Sequence, residues 1–165
     1  MEDVLGRLAE AIDRVLDNDR LARFQPSEVA VTFELGWHLR ELFGNEWDVN
    51  GEYDRLGEDE KALQYPGRPP RKPTNRIRPD IIVHIMGERN NLLVVEAKLH
   101  GNNNYAYDDW KLRGMTWQEG EYGYFVGVHL VFFIAARRLA SCTVYTNGEV
   151  DEAWTGWLQE KYLED

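Results

Sequence analysis

The sequence predicts a one-domain α/β protein. Stretches with the apolar period of a helix alternate with β-branched apolar runs that are typical of strands. Their order is helix, helix, strand, hairpin, helix, strand, strand and helix. The 165 residues are the length of one domain, 1–165, and a hydrophobic content of 43% is sufficient for a buried core.

Two helices are expected at the start of the chain. Residues 3–16 place apolar side chains at helical spacing, and a short apolar link follows at residues 21–24. Ser27 is a favourable N-cap for a second helix, which runs to about Phe43 and ends at Gly44. The apolar stripe of this second helix comprises Val31, Leu35, Leu39 and Leu42.

Glu28 projects into that apolar stripe, where a carboxylate is unusual. One interpretation is favourable dipole and capping chemistry at the start of the helix. The other is a third acidic group at a metal site, for which Glu34, at the edge of the stripe, is the second choice. His38 lies near the same stripe and is interpreted as a hydrogen-bonded interface histidine.

A strand is predicted at residues 46–53, followed by a long irregular segment at residues 56–78. The segment begins with an acidic patch at residues 58–60, and residues 66–78 then carry five cations and no acid. This second part is either a phosphate-contacting arm or a solvated loop whose charges balance the acidic patch. The cations are Arg68, Arg71, Lys72, Arg76 and Arg78.

The middle of the chain predicts a β-hairpin. Two apolar, β-branched runs flank a turn at residues 87–91 that contains glycine and asparagine. Because side chains alternate along a strand, the odd-numbered positions form an entirely apolar face that must be buried. Those positions are Ile81, Val83, Ile85, Leu93, Val95, Ala97 and Leu99.

The even-numbered face of the hairpin carries Asp80, Glu96 and Lys98. A turn centred near Arg89 pairs Asp80 with Lys98 and sets Glu96 beside them. Charges at the rim of a half-buried face are costly unless they pair or bind a metal. The group is therefore either a metal site or a cross-strand salt bridge worth about 0.2–1 kcal/mol.

The remaining segments complete an α/β pattern. Residues 105–117 predict a helix in which Asp108 and Lys111 have the spacing of an ion pair. Residues 124–136 are apolar on both faces, as in a central strand. A strand, a turn and a helix then follow at residues 141–146, 147–148 and 151–163.

Charge and composition limit the possible functions. The formal net charge of −10 counts against a general nucleic-acid-coating protein, but it is compatible with a nuclease that has a local basic path. Cys142 is the single cysteine, so a disulfide framework and a zinc pattern are both excluded. We expect a cytoplasmic protein, because the N-terminus is acidic where a secretory signal would be basic, and the longest apolar run is too short to span a bilayer.

Pro79-Asp80, the hairpin and Glu96-Ala97-Lys98 together resemble the motif of the PD-(D/E)xK nuclease superfamily. The resemblance covers roughly residues 27–146. Within this range the sequence is similar to uncharacterised bacterial members of the superfamily. It implies a restriction endonuclease-like fold, with a central mixed β-sheet flanked by helices and an αβββαβ core. The helices at residues 3–16 and 151–163 are then additions to this core.

The resemblance further implies a Mg²⁺-dependent enzyme that hydrolyses phosphodiester bonds of DNA, with Mn²⁺ as a substitute. It assigns Asp80 and Glu96 as metal ligands and Lys98 as the catalytic cation. The main-chain carbonyl of Ala97 is a third ligand, and Glu28 is a direct or water-mediated fourth.

The helix after the hairpin also resembles a helix of many of these nucleases. Lys111 would there hold a phosphate or brace the site, while an ordinary helical ion pair with Asp108 is the alternative.

Two other hypotheses remain open. One is a catalytically silent module of the same fold that binds a protein partner, or forms a homodimer, through an aromatic surface. The other is a structural ion-pair cluster in a different α/β fold. The aromatic surface of the first would comprise Trp110, Trp117, Trp154 and Trp157.

Overall fold

The computed structural model describes residues 1–53, 55–56, 59–60, 62–63, 65 and 76–163. The helices are α1 (Glu2–Leu16), α2 (Asp19–Phe24), α3 (Glu28–Phe43), α4 (Ala106–Thr116) and α5 (Glu152–Tyr162). The strands are β1 (Asp48–Gly51), β2 (Arg55–Leu56), β3 (Asp59–Glu60), β4 (Ile81–Ile85), β5 (Asn90–Leu99), β6 (Val126–Phe133), β7 (Arg138–Thr146) and β8 (Glu149–Val150). None of these helices has the length and hydrophobicity needed to cross a membrane.

Six strands form one mixed sheet in the order β1-β4-β5-β6-β7-β8, while β2 and β3 pair with each other. Strands β5 and β6 are parallel, and α4 connects them. All other neighbours in the large sheet are antiparallel. The predicted α/β fold, with a central mixed sheet flanked by helices, is confirmed at this level.

Two hydrophobic cores cover the two faces of the hairpin. The odd-numbered face packs with apolar side chains of α1, α3 and α5, as the alternation predicts. On the even-numbered face, Ile82 and Val94 pack with Leu112 and Met115 of α4. The charged residues of the even-numbered face therefore lie at the border of an apolar layer.

The register of the hairpin differs from the predicted one by two residues. Ile81 pairs with Val95, which carries Asp80 toward Glu96, whereas the prediction placed it opposite Lys98. The prediction was wrong because it assumed a turn centred near residue 89. Since the difference is an even number of residues, the three charged side chains still share one face.

Three local features were not predicted. A bulge between Val83 and His84 changes the register near the turn. The expected link after α1 is instead the helix α2, because the Asn18 side chain accepts two main-chain N–H groups of its first turn. Strand β8 pairs back onto β7 through a turn in which Asn147 and Gly148 both have positive φ.

The two faces of α3 should respond differently to truncation. Leu35 is fully buried in the core that α1, α3 and α5 form with the sheet, whereas Val29 is 74% exposed on the same helix. We expect Leu35→Ala to lower the free energy of unfolding by about 2–5 kcal/mol. Val29→Ala is the matched control and should change it by less than about 0.5 kcal/mol in urea denaturation. Equal effects of the two substitutions would contradict the described packing of α3.

Candidate active site

The predicted catalytic and metal-binding residues converge at one end of the sheet. One side chain comes from the start of α3, which covers one face, and two come from α4, which covers the other. The remaining side chains precede β4 or lie near the end of β5. The residues brought together are Glu28, Asp80, Glu96, Lys98, Asp108 and Lys111.

Asp80 is tied to the neighbouring strand by its carboxylate. The main-chain N–H of Ala97 donates to Asp80 Oδ2 at 2.9 Å, so the carboxylate and the main chain of Ala97 are adjacent. Burial raises the pKa of Asp80, although this hydrogen bond and the nearby ammonium groups oppose the increase. The carboxylate is thus oriented, but its charge is incompletely compensated.

Glu96 and Lys111 form a buried ion pair between β5 and α4. The side chain of Glu96 is 0% exposed, and its Oε2 lies 2.7 Å from Nζ of Lys111, which is 4% exposed. Lys111 Nζ also donates to the main-chain oxygen of Arg78 at 3.4 Å. Burial raises the pKa of Glu96 well above its ordinary value, although Lys111 opposes the increase. Glu96 Oε1 has no hydrogen-bond partner among the described residues.

Lys98 is held between two carboxylates from opposite layers. Its Nζ lies 3.5 Å from Oε1 of Glu28 and 3.4 Å from Oδ2 of Asp108. Burial alone would lower the pKa of Lys98, but the surrounding carboxylates raise it above its ordinary value. Lys98 is therefore a fixed, protonated cation.

Glu28 both begins α3 and contacts the site. Ser27 caps the helix, and Glu28 Oε2 accepts the main-chain N–H of Leu99 at 3.1 Å and the Asn102 amide at 3.4 Å. Glu34, the second choice, instead accepts a hydrogen bond from Asn18 on the α1–α2 side of the helix.

His38 contacts the carboxylates of Glu34 and Glu41, at 3.5 and 3.2 Å. Both partners lie on α3 itself, so these contacts are within one helix and are not the interface contacts predicted for His38.

Asp108 and His129 belong to the site, and the sequence analysis gave them no role in it. Asp108 Oδ1 lies 3.6 Å from Lys111, as the spacing predicted, and Oδ2 lies 3.7 Å from Nε2 of His129, beyond hydrogen-bond distance. Burial would raise the pKa of Asp108, but His129 and the two lysines lower it overall. The sequence signal that could have pointed to His129 is a histidine within an otherwise apolar strand. Its position next to Glu96 comes from the register of β5 and β6 in the structure.

The charges of this cluster do not balance. Four carboxylates, those of Glu28, Asp80, Glu96 and Asp108, surround the ammonium groups of Lys98 and Lys111. When all are ionised, two negative charges are in excess. Burial is the main reason for the raised pKa values of Asp80 and Glu96, and the neighbouring carboxylates raise these pKa values further.

The carboxylate oxygens of the cluster are the kind of ligand that a divalent cation prefers. Within the described ranges, no three His, Cys, Asp or Glu side chains form a group that could hold a metal ion. Mg²⁺ in proteins is commonly held by only one or two carboxylates together with water. The unpartnered Oε1 of buried Glu96 and the adjacent carboxylate of Asp80 fit that requirement.

The predicted nucleic-acid-binding residues differ in where they lie in the structure. Arg68, Arg71 and Lys72 lie outside the described residues. Arg76 and Arg78 are exposed, and Arg78 lies 4.0 Å from a carboxylate oxygen of Glu52. Lys111, whose possible roles included a phosphate contact, is buried in the ion-pair cluster.

Of the four tryptophans predicted to form an aromatic surface, one is buried and three are partly buried. Trp110 is buried, and Trp154 and Trp157 are partly buried against the core formed by α1, α3 and α5. Trp117 is partly buried and lies edge-on to Tyr65. The large apolar side chains exposed in the described part of the chain are Phe24, Val29, Phe33, Trp37, Met86 and Phe125.

Comparison with protein-family models and with curated protein sequences found no match.

Removal of Lys111 should be strongly destabilising. Lys111→Met leaves Glu96 buried without its 2.7 Å counter-charge, and we expect a loss of about 3–5 kcal/mol in the free energy of unfolding. Arg14→Met, which removes the partner of exposed Glu10, is the matched control and should cost less than about 1 kcal/mol. The double variant Lys111→Met/Glu96→Gln should recover part of the loss, because neither charge remains. A double variant as unstable as Lys111→Met alone would contradict the pairing.

The raised pKa of Glu96 predicts a pH dependence of stability. A carboxyl group whose folded pKa exceeds its unfolded pKa binds more protons when folded, so its contribution to stability falls as pH rises between the two values. Without divalent ions, Glu96→Gln should remove a decline of up to about 1.4 kcal/mol per pH unit, starting near pH 4.5. Urea denaturation from pH 4 to pH 8 measures this, and parallel profiles for the two proteins would contradict it.

Proposed function

We propose that the protein is a metal-dependent nuclease that hydrolyses phosphodiester bonds of DNA on a restriction endonuclease-like fold. The observation that carries the proposal is the convergence of the Asp80 carboxylate, tied to the main chain of Ala97, with buried Glu96, whose Oε1 has no partner among the described residues, beside the ammonium group of Lys98. Hard divalent cations prefer carboxylate oxygens, and one bound there would offset the negative charge of the two carboxylates.

The order of the elements supports the proposal. Helix α3 is followed by β1, β4, β5, α4 and β6, which is the αβββαβ order implied by the sequence motif. Only the short β2–β3 pair intervenes among the described elements. Asp80 directly precedes β4, while Glu96 and Lys98 lie near the end of the adjacent β5. The motif residues therefore lie on two neighbouring strands or directly before one of them.

Asp80 and Glu96 would hold Mg²⁺, or Mn²⁺ in its place. The main-chain carbonyl of Ala97 and the carboxylate of Glu28, directly or through water, would complete the oxygen donors. An ion held there would make a water molecule nucleophilic and would offset the negative charge on the phosphoryl oxygens.

The residues of the chain then have separate tasks. The Ala97 N–H orients the carboxylate of Asp80, and Lys111 holds Glu96 against α4. Because the pKa of Lys98 is raised, this residue acts as a cation and not as a base. Its ammonium group orients the attacking water or stabilises the charge that develops on the phosphate oxygens.

Metal binding is the first test. We expect saturable binding of Mn²⁺ to the wild-type protein in titration calorimetry, and loss of that binding in Asp80→Asn and in Glu96→Gln. Glu34→Gln is the matched control, because Glu34 lies on the same helix as Glu28 but contacts α2's cap residue Asn18, away from the site. This control should bind Mn²⁺ as the wild type does.

Cleavage of labelled DNA completes the same test. Lys98→Met should keep Mn²⁺ binding but lose about 10²–10³-fold in cleavage rate, because it removes only the stabilising cation. If the wild-type protein binds no Mn²⁺ even with DNA present, the nuclease proposal is wrong, and the catalytically silent module becomes the better hypothesis.

A further inference from the structure

A groove lies along α3 and the edge strand β1, next to the candidate active site. Its volume is about 520 Å³, which is within the range of ligand-sized clefts. The outward face of α3 lines part of it, and Glu28 and Asp80 are also among the lining residues. Whatever occupies the groove therefore lies beside the carboxylates to which the proposed function assigns a metal.

The α3 side of this groove is unexpectedly apolar for an exposed helix face. Val29, Phe33 and Trp37 follow one another at four-residue spacing, so they form one stripe of about 12 Å along the helix axis. They are 74%, 72% and 56% exposed, although the opposite face of the same helix already packs into the core. A row of side chains at this spacing is the ridge that a helix packs against a second helix.

The charged part of the groove lining is acidic. It contains the carboxylates of Glu28, Glu52 and Asp80, and Arg40 is its one cation among the described residues. Arg40 is already engaged, because it donates to the main-chain oxygen of Val49 at 3.3 Å. The side chain of Glu52 is 71% exposed and is not a proposed metal ligand, so its negative charge remains at the groove when an ion is bound. The formal net charge of −10 adds to this negative field.

We infer that this groove binds a basic amphipathic helix of a partner protein. The apolar face of that helix packs against Val29, Phe33 and Trp37, and the lysine or arginine side chains beside this face meet the acidic lining. A helix bound there covers Glu28 and Asp80 and so restricts access to the candidate active site. The inference goes beyond the proposed nuclease function and does not depend on it, because this contact needs neither a metal ion nor cleavage.

The same charges disfavour other occupants of the groove. A nucleic-acid strand laid along it would bring phosphates to carboxylates, and the described lining offers no uncommitted cation in return. A second copy of the chain would bring a net charge of −10 against an equal one. A basic amphipathic segment is attracted by the acidic lining and also buries the apolar stripe, so it matches both features.

Fluorescence anisotropy with a labelled synthetic peptide tests the inference. The probe is a leucine–lysine helix of about four turns, with all its leucines on one face. One comparison peptide has glutamate in place of each lysine, and another has the composition of the probe in scrambled order, without an apolar face. We expect the wild-type protein to bind the probe about tenfold more tightly than either comparison peptide.

Variants of the groove show where the probe binds. Trp37→Ala should weaken binding about tenfold, while Trp37→Phe keeps an aromatic ring and should stay within about threefold of wild type. Phe125→Ala removes an exposed ring outside the groove and should leave binding unchanged. Glu52→Gln should weaken binding about two- to fivefold at low salt and less at high salt. Its matched control is Glu88→Gln, which removes an exposed carboxylate outside the groove and should have no effect.

The outcomes separate this inference from the proposed function. No binding of the probe by the wild type, or binding that Trp37→Ala leaves unchanged, overturns the inference. Equal binding of the glutamate peptide also overturns it, because charge then plays no part. A wild-type dimer that Trp37→Ala dissociates in sedimentation overturns it in favour of a second copy. Mn²⁺ uptake and DNA cleavage are measured independently of the peptide, so either proposal can fail while the other stands.

Discussion

The buried ion pair between Glu96 and Lys111 is the contact on which the arrangement of this site depends. It joins β5 to α4 at 2.7 Å, with both side chains almost completely shielded from water. Taking two charges out of water is costly, and a cost of this kind is tolerated only when the charges remain together. The pair therefore restricts how α4 can lie on the sheet, and it brings Asp108, one turn earlier on the same helix, toward Lys98.

The same burial that makes the cluster costly makes it chemically useful. Apolar layers on both faces of the hairpin lower the screening of every charge at its border. Burial makes the carboxyl groups of Asp80 and Glu96 harder to ionise, whereas the surrounding carboxylates make Lys98 harder to deprotonate by raising its pKa. Replacement of a buried ionic cluster by apolar side chains is often neutral or stabilising, so stability alone does not account for this one.

Helix α3 connects the core and the site. Its inward face carries Leu35 into the apolar layer, and Glu28, its first residue, lies on the same side of the helix, about 20° from Leu35. Phe33 and Trp37 lie on the opposite, exposed face. Packing of the inward face therefore sets the position of Glu28 near Lys98.

Local sequence patterns were sufficient for helices α1, α3, α4 and α5, the buried face of the hairpin and the grouping of Asp80, Glu96 and Lys98, because periodicity along a chain directly records which side faces the core. They also singled out Glu28, since a carboxylate within an apolar stripe is conspicuous. They did not reveal the hairpin register, the partnership of Asp108 with His129, or the exposure of Phe33 and Trp37. Each of these depends on which distant segments lie alongside one another, and only the pairing of the strands and the packing of α3 and α4 against the sheet decide that.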